Sequence, residues 1–309
     1  MDVIFCGTPT FAVPTLKALV DNGFNVRLVV SQPDRPAGRG LTTVATAVKH
    51  FAVEHGLPIA QPDKIKNNAE FRAQLETIQP ETIVVVAYGR IIPQWMLDLP
   101  PLGNINVHAS LLPKYRGAAP IQWAIARGEG FTGVTTMRLD AGLDTGDMLL
   151  KAEIPIEPED TYEALAPKLS ELGGPLLIRT LHGLKDGSVT RIPQDHHEAT
   201  LAPLLQKEDG RIDWNRTATE IWNRLRGFTP WPGAFTTFRG KNLNILKAQP
   251  AASGTEPLAP GQLHAQGEHL YAGCGESTVL EMFELQLEGK KRMSARDFIN
   301  GYRPKDLLI

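Results

Sequence analysis

The sequence predicts an α/β protein: a parallel sheet covered by helices, followed by a smaller domain of short strands forming a β-barrel. Three observations carry this. Short apolar runs alternate with helical patterns through the first part of the chain. One of those runs, Thr82 to Ala87 (TIVVVA), reads as a strand buried on both faces. Beyond residue 207 the chain breaks into many short alternating runs with little helix.

Taken in order, Val3 to Cys6 is a compact strand closed by Gly7-Thr8-Pro9, and Ala12 to Asn22 has helical spacing with Gly23 as its stop. A second strand at Val26 to Val30 leads into the turn-rich QPDRPAGRG. A helix near Thr46 to His55, a short strand at Pro58 to Ala60 and a helix near Asn68 to Thr77 precede TIVVVA. Strands separated by helices imply crossover connections, and ligands of such sheets bind beyond the carboxyl ends of the strands. Residues 188–206 are polar and aperiodic and read as a linker between domains at 1–187 and 207–309. In the second domain, runs at Gly233 to Phe238, Leu243 to Ala248, Gly261 to His264, Leu270 to Ala272 and Val279 to Leu287 read as strands, and Ala218 to Leu225 as a helix.

Composition excludes several classes. At 309 residues two domains are expected, with ordinary globular shares of hydrophobic (42%) and charged (21%) residues. A net charge of -2 argues against a non-specific nucleic-acid coat, although residues 201–309 carry 14 Lys and Arg against 12 Asp and Glu, so a mildly basic tail could meet phosphates. Cys6 and Cys274 stand too far apart in sequence for a disulfide framework or a CxxC metal pair. The start has no signal-peptide pattern and no apolar run reaches membrane-spanning length, so a cytoplasmic protein is expected, with no membrane partner and no DNA. The loop after the first strand, GTPTF, is not GxGxxG, and no GxxxxGK[ST] occurs; a nicotinamide dehydrogenase and a simple ATPase are both disfavoured.

The informative stretch is NVHASLLPKYRGAAP, residues 106–120. On a short strand Asn106 and His108 point to one side, and Ser110 joins them if the extension lasts that far. By itself the trio could close a loop on its own backbone. A second loop, Asp140 to Asp147, follows another strand and brings three carboxylates, Asp140, Asp144 and Asp147. A carboxylate beside a histidine raises its basicity and orients its ring, while an asparagine amide can donate to a developing oxyanion. The acidic spacing also resembles a calcium loop, but the glutamate such a loop needs at its twelfth position is missing.

These two segments, with GTPTFAVPTL, QPDRPAGRG, VVVAYG, RIDW, PWPGAF and GKKRMSARDF, closely resemble the folate-dependent formyltransferases over nearly the whole chain. The resemblance implies a Rossmann-like formyltransferase domain, an OB-like barrel after it, and 10-formyltetrahydrofolate as co-substrate. It implies transfer of the formyl group to the amino group of methionyl initiator tRNA for translation initiation, with the acceptor stem as the partner surface. The family also contains enzymes that formylate nucleotide-linked amino sugars or glycinamide ribonucleotide, and hydrolases in which water replaces the amine.

Carried over residue by residue, the resemblance makes Asn106, His108 and Asp144 the catalytic group. Ser110, Leu111, Leu112 and Pro113 are expected to lie against the folate, with Val86, Tyr88 and Gly89 bordering the same pocket. Arg35 and Arg39 are candidates for contact with tRNA, as is the basic cluster Lys290, Lys291, Arg292 and Arg296 in the tail. The segment after Arg39, LTTVATAVK, lacks the lysines that relatives carry there, which weakens its expected electrostatic grip. Attack of an amine on a formyl group needs positioning and charge stabilisation, so neither a metal nor a covalent enzyme intermediate is expected.

Overall fold

The computed structural model describes residues 1–37, 42–252, 254–304 and 308. In chain order the elements are β1 (Asp2–Gly7), α1 (Val13–Asp21), β2 (Asn25–Val30), β3 (Arg35–Ala37), β4 (Thr42–Val44), α2 (Ala47–Glu54), β5 (Ile59–Ala60), α3 (Ala69–Ile78), β6 (Thr82–Val86), α4 (Gln94–Leu97) and β7 (Asn104–His108). Then follow α5 (Pro120–Ala126), β8 (Phe131–Arg138), β9 (Met148–Pro155), α6 (Tyr162–Asp186) and α7 (Ala218–Phe228). The tail adds β10 (Ala234–Phe238), β11 (Lys241–Pro250), β12 (Leu263–Gln266), β13 (His269–Gly273), β14 (Val279–Leu287), β15 (Met293–Ser294) and α8 (Ala295–Tyr302). The chain divides into two compact units: Met1–Ala118, Phe131–Ile154 and Ala166–Ala202 form one, and Ala119–Gly130, Pro155–Leu165 and Pro203–Ile309 the other.

The first unit is built on a seven-stranded sheet of order β5-β2-β1-β6-β7-β8-β9. The pairings β1 with β2, β1 with β6, β2 with β5, and β6 with β7 are parallel. β6 is buried along its whole length, as a central strand covered on both faces must be. One face packs Ile4, Cys6, Ile83 and Val85 against Phe71 and Leu75 of α3. The helices are capped as their sequences dictate: the Asn68 side chain accepts from Phe71 N, and that of Thr46 from Lys49 N.

The sheet is parallel only as far as β7. β8 runs antiparallel to β7, pairing Asn106 with Met137 and His108 with Thr135. This direction brings the end of β8, and the acidic loop after it, back beside the start of β7, where Leu139 N donates to Asn104 O. On the sheet's flank, α6 passes two glycines over the strands and α1. A Cβ at Gly173 would lie 2.9 Å from Val107 Cγ1, and one at Gly174 would lie 3.0 Å from Ala18 Cβ.

The second unit carries an antiparallel sheet of order β10-β11-β14-β13-β12, with β15 paired to β14. Its core gathers Ile221 and Leu225 of α7, Phe238, Leu243, Ile245, Met282 and Leu285 of the strands, and Phe298 of α8. α7 starts at a reciprocal capping box, in which Thr217 Oγ1 accepts from Glu220 N and Glu220 Oε2 accepts from Thr217 N. α5 lies against α7 in this unit, where Trp123 and Phe228 meet edge to face at 5.2 Å.

Candidate functional site

In the first unit the chain leaves β1 toward β2 on one side of the sheet, while β6 and β7 lie on the other. The strand order therefore reverses between β1 and β6, and the crevice at their carboxyl ends is the expected ligand position. Gly7 and Val86 are paired across this point. A Cβ at Gly7 would sit 2.7 Å from Phe5 Cε1 and 2.9 Å from Ala12 Cβ, so only glycine fits. Beyond the strand ends, Thr8 Oγ1 and Gln32 Nε2 both donate to Tyr88 O, at 3.1 and 2.9 Å, tying the loops after β1, β2 and β6 together. Ala87 and Gly89 turn the chain there in the left-handed region, at φ 45° and 77°.

β7 delivers the next residues. Asn106 stands beside Val85 of β6, and its side-chain amide has no hydrogen-bond partner among the described residues although the residue is only 9% exposed. The strand ends at His108, so Ser110 is not on it. The Ser110 hydroxyl is fully buried and donates to Lys114 O at 2.6 Å, while Ser110 O accepts from Thr135 Oγ1 at 2.7 Å, which in turn accepts from Leu112 N. Ser110 closes its loop, and of the three side chains only those of Asn106 and His108 stand on β7.

His108 is buried, and its Nε2 lies 2.9 Å from Tyr115 O. A carbonyl only accepts, so Nε2 carries a hydrogen and Nδ1 is the nitrogen left to exchange a proton. That Nδ1 faces Asp144 Oδ2 at 3.8 Å. The same oxygen accepts from Gly117 N at 2.9 Å. Asp144 holds a left-handed backbone at φ 52°, in the loop between β8 and β9. The other two loop carboxylates do not join it: Asp140 accepts from Gly142 N and Thr145 Oγ1, and Asp147 contributes its carbonyl to Arg138 N. Among the described residues no group of three or more His, Cys, Asp and Glu side chains is arranged to hold a metal.

The remaining residues expected at the site divide by exposure. Leu112 packs with Met137, Met148 and Leu139, and Pro113 is buried, so both support the loop from behind; Leu111 is part-exposed and its Cδ2 closes over Gly133. Tyr88 buries its ring among Cys6, Val85 and Met96, and burial, with Cys6 beside it, pushes its hydroxyl well above the ordinary phenol range. Its carbonyl and Gly89 form the rim. Burial lowers the Lys151 amine, opposed by Glu198, and that amine donates to Leu112 O.

Arg35 is exposed on β3, with Nη2 3.4 Å from Gln32 Oε1; Arg39 lies outside the described residues. In the second unit Lys290, Lys291 and Arg292 are exposed in the turn between β14 and β15, and Arg296 pairs with Glu268 at 3.1 Å. Gln194, whose side chain joins Arg116 to the Asp144 loop, has no local sequence signal, since nothing in its polar, aperiodic surroundings marks it.

A strand-order reversal in a mostly parallel sheet, with an amide, an imidazole and a carboxylate gathered at the end of the neighbouring strand β7, places the protein among α/β proteins whose candidate site lies at the carboxyl ends of the strands. The chain belongs to the formyl transferase family: the family described as Formyl transferase matches residues 1–181, and Formyl transferase, C-terminal domain, matches residues 204–303. It is 66% identical over 304 residues to the methionyl-tRNA formyltransferase of Koribacter versatilis, covering 98% of this chain and 96% of that one. It is 50% identical to the methionyl-tRNA formyltransferase of Geobacter metallireducens, with the same coverage. Among solved structures, the fold matches an N-formyltransferase from Helicobacter canadensis in complex with folinic acid and dTDP-3-aminofucose, with a TM-score of 0.67 at 18% identity over 91% of this chain and 98% of that one. It also matches methionyl-tRNA formyltransferase from Clostridium thermocellum, with a TM-score of 0.56 at 19% identity over 82% and 95%.

Proposed function

We propose that the protein transfers the formyl group of 10-formyltetrahydrofolate to the free amino group of methionyl initiator tRNA. The observation that carries this reading is near full-length identity of 48–66% to relatives that bear the name methionyl-tRNA formyltransferase, combined with an unpartnered Asn106 amide two residues along β7 from the His108 of the His108–Asp144 pair.

In this mechanism the amine attacks the formyl carbon and a tetrahedral oxyanion forms. The Asn106 amide donates to that oxygen. His108, with Nε2–H held by Tyr115 O, takes the amine's proton at Nδ1, and Asp144 Oδ2 steadies the resulting imidazolium. The proton passes to the folate nitrogen as the carbon–nitrogen bond to it breaks, giving formylated tRNA and tetrahydrofolate. The folate lies along the Tyr88–Gly89 rim and the face of the loop that Leu111 presents, with Val86, Ser110, Leu112 and Pro113 buried behind that surface and shaping it. Arg35, Arg39, Lys290, Lys291, Arg292 and Arg296 meet tRNA phosphates. The catalytic domain is taken as 1–187 and the tRNA-binding domain as 207–309, a division that the family matches at 1–181 and 204–303 support, although the segment between them stays with the first compact unit as far as Ala202.

The test is transfer of labelled formyl from 10-formyltetrahydrofolate to methionyl initiator tRNA, with folate-only and amino-sugar controls. Label on the tRNA is expected. Label released as formate in the absence of tRNA, or carried only by an amino sugar, would sink the proposal.

A further inference from the structure

Residues 188–206 have the composition of a plain connector, yet as far as Ala202 this segment belongs to the first unit and runs against the catalytic loops. Ile192 bridges Met148, and Leu201 bridges Arg116 through Arg116 N to Thr200 O at 2.9 Å and Ala202 N to Arg116 O at 2.7 Å. Between these anchors lies Gln194, 6% exposed.

From this arrangement we infer that Gln194 and Arg116 are positioning residues, which fix Asp144 against His108 without touching the reacting atoms; the inference rests on the formyl-transfer reading. The Gln194 amide is fully used. Its Oε1 accepts from Arg116 Nε at 2.9 Å and Nη2 at 2.8 Å, and its Nε2 donates to Asp144 O at 2.9 Å and Gly146 O at 2.7 Å. A guanidinium only donates and a carbonyl only accepts, so the amide's orientation is fixed by its neighbours. Arg116 is itself 6% exposed, and its remaining Nη1 donates to His196 Nδ1 at 3.1 Å.

Two features make this clamp matter to the site. The first is the backbone of Asp144, held at φ 52°, a left-handed conformation that a non-glycine residue keeps only if its surroundings over-determine it. Gln194 holds the Asp144 carbonyl and, two residues on, that of Gly146. The second is the position of Arg116 in the chain. Its neighbour Tyr115 accepts from His108 Nε2, and its other neighbour Gly117 donates to Asp144 Oδ2. One tripeptide thus touches both members of the pair, and Gln194 locks the middle residue of that tripeptide to the loop carrying Asp144. The separation of Nδ1 and Oδ2 is set by a closed ring of hydrogen bonds.

Gln194→Glu separates the two halves of the clamp. It keeps an acceptor for Arg116 and turns the other end from a donor into an oxygen facing two carbonyls. The wild-type assay on methionyl initiator tRNA first tests the reading itself. Given transfer, Gln194→Glu is expected to lower kcat about 10- to 100-fold, the scale of a misplaced catalytic group, while KM for tRNA and folate stays within about threefold. Added to Asp144→Asn, it is expected to slow the reaction no further. An unchanged kcat in a folded variant, or a full additional loss in the Asp144→Asn background, overturns the inference. Should Gln194→Glu fail to fold, Arg116→Lys keeps the charge and breaks the two-pronged bond. Its expected signature is the same kcat loss together with displaced ring-nitrogen NMR resonances of His108. Resonances that stay in place overturn the inference, and they can be read even if no formyl acceptor is found.

Discussion

His108 Nδ1 and Asp144 Oδ2 face one another at 3.8 Å, within ion-pairing distance and beyond hydrogen-bond length. The gap is set by Tyr115 and Gly117, which hold the far nitrogen of the ring and the near oxygen of the carboxylate. Catalytic hydrogen bonds are often long before substrate arrives and tighten in the reacting complex.

If the two groups handle one proton together, removing either removes the function of both. His108→Ala and Asp144→Ala are each expected to lower kcat by about 10²- to 10⁴-fold, the range of general acid–base catalysis. The double variant is expected to be little slower than the worse single one. Multiplying losses, measured as single-turnover formyl transfer, would show that they act separately.

In the proposed mechanism Asn106 donates to the oxyanion, a role that affects the transition state more than binding. Asn106→Ala is expected to reduce kcat by about 10²- to 10³-fold with little change in the KM for folate, as for loss of one oxyanion donor. A rise in KM alone would instead make Asn106 a ground-state contact.

The central strands and the Asn106–His108 pair were legible in the sequence because both rest on local pattern: β6 is a run of β-branched residues, and β7 alternates polar and apolar positions. α6 was not legible. It contains Pro167, Pro175 and the pair Gly173–Gly174, all helix-breaking signals, and the glycines are explained only by Val107 and Ala18 pressing on them. The direction of β8 was hidden too, since apolar runs do not encode which way a strand points. Whether Ser110 shares the side of Asn106 and His108 depends on how far the strand runs, which the residues leave open; the strand ends at His108 and the Ser110 hydroxyl turns to Lys114 O. Gln194 depends on contacts with Arg116 and Asp144, which lie 78 and 50 residues away. No local pattern carries that information.

The turn between β14 and β15 presents Lys290, Lys291 and Arg292 to solvent. If these side chains neutralise tRNA phosphates, replacing all three with alanine raises the KM for tRNA and flattens its salt dependence by about 0.7 to 0.9 per lost contact in a plot of log affinity against log salt. The KM for folate is expected to hold. An unchanged salt slope would show that this turn does not meet the tRNA backbone.

The root of the segment carrying Arg35 is fastened by Asp34. Its Oδ1 accepts from Gln61 Nε2 at 2.7 Å and its Oδ2 from Lys49 Nζ at 2.5 Å, while Gln61 also reaches Gln32 O at 2.8 Å. These bonds, Gln61 foremost, hold the Asp34 carboxyl below the ordinary aspartate range. A carboxyl whose folded value lies below its unfolded one adds stability that is fully present above the unfolded value, about 3.9, and is lost as pH falls through the folded value. Asp34→Asn lacks this contribution at every pH. The Tm gap between wild type and variant is therefore expected to be widest near neutrality and to close below about pH 4, the ordinary aspartate range. A gap that stays constant down to acid would mean that Asp34 acts only through its shape and neutral hydrogen bonding. Because Gln32 also holds Tyr88 O, loosening this root is expected to raise the KM for folate as well, an effect that a purely peripheral loop would not produce.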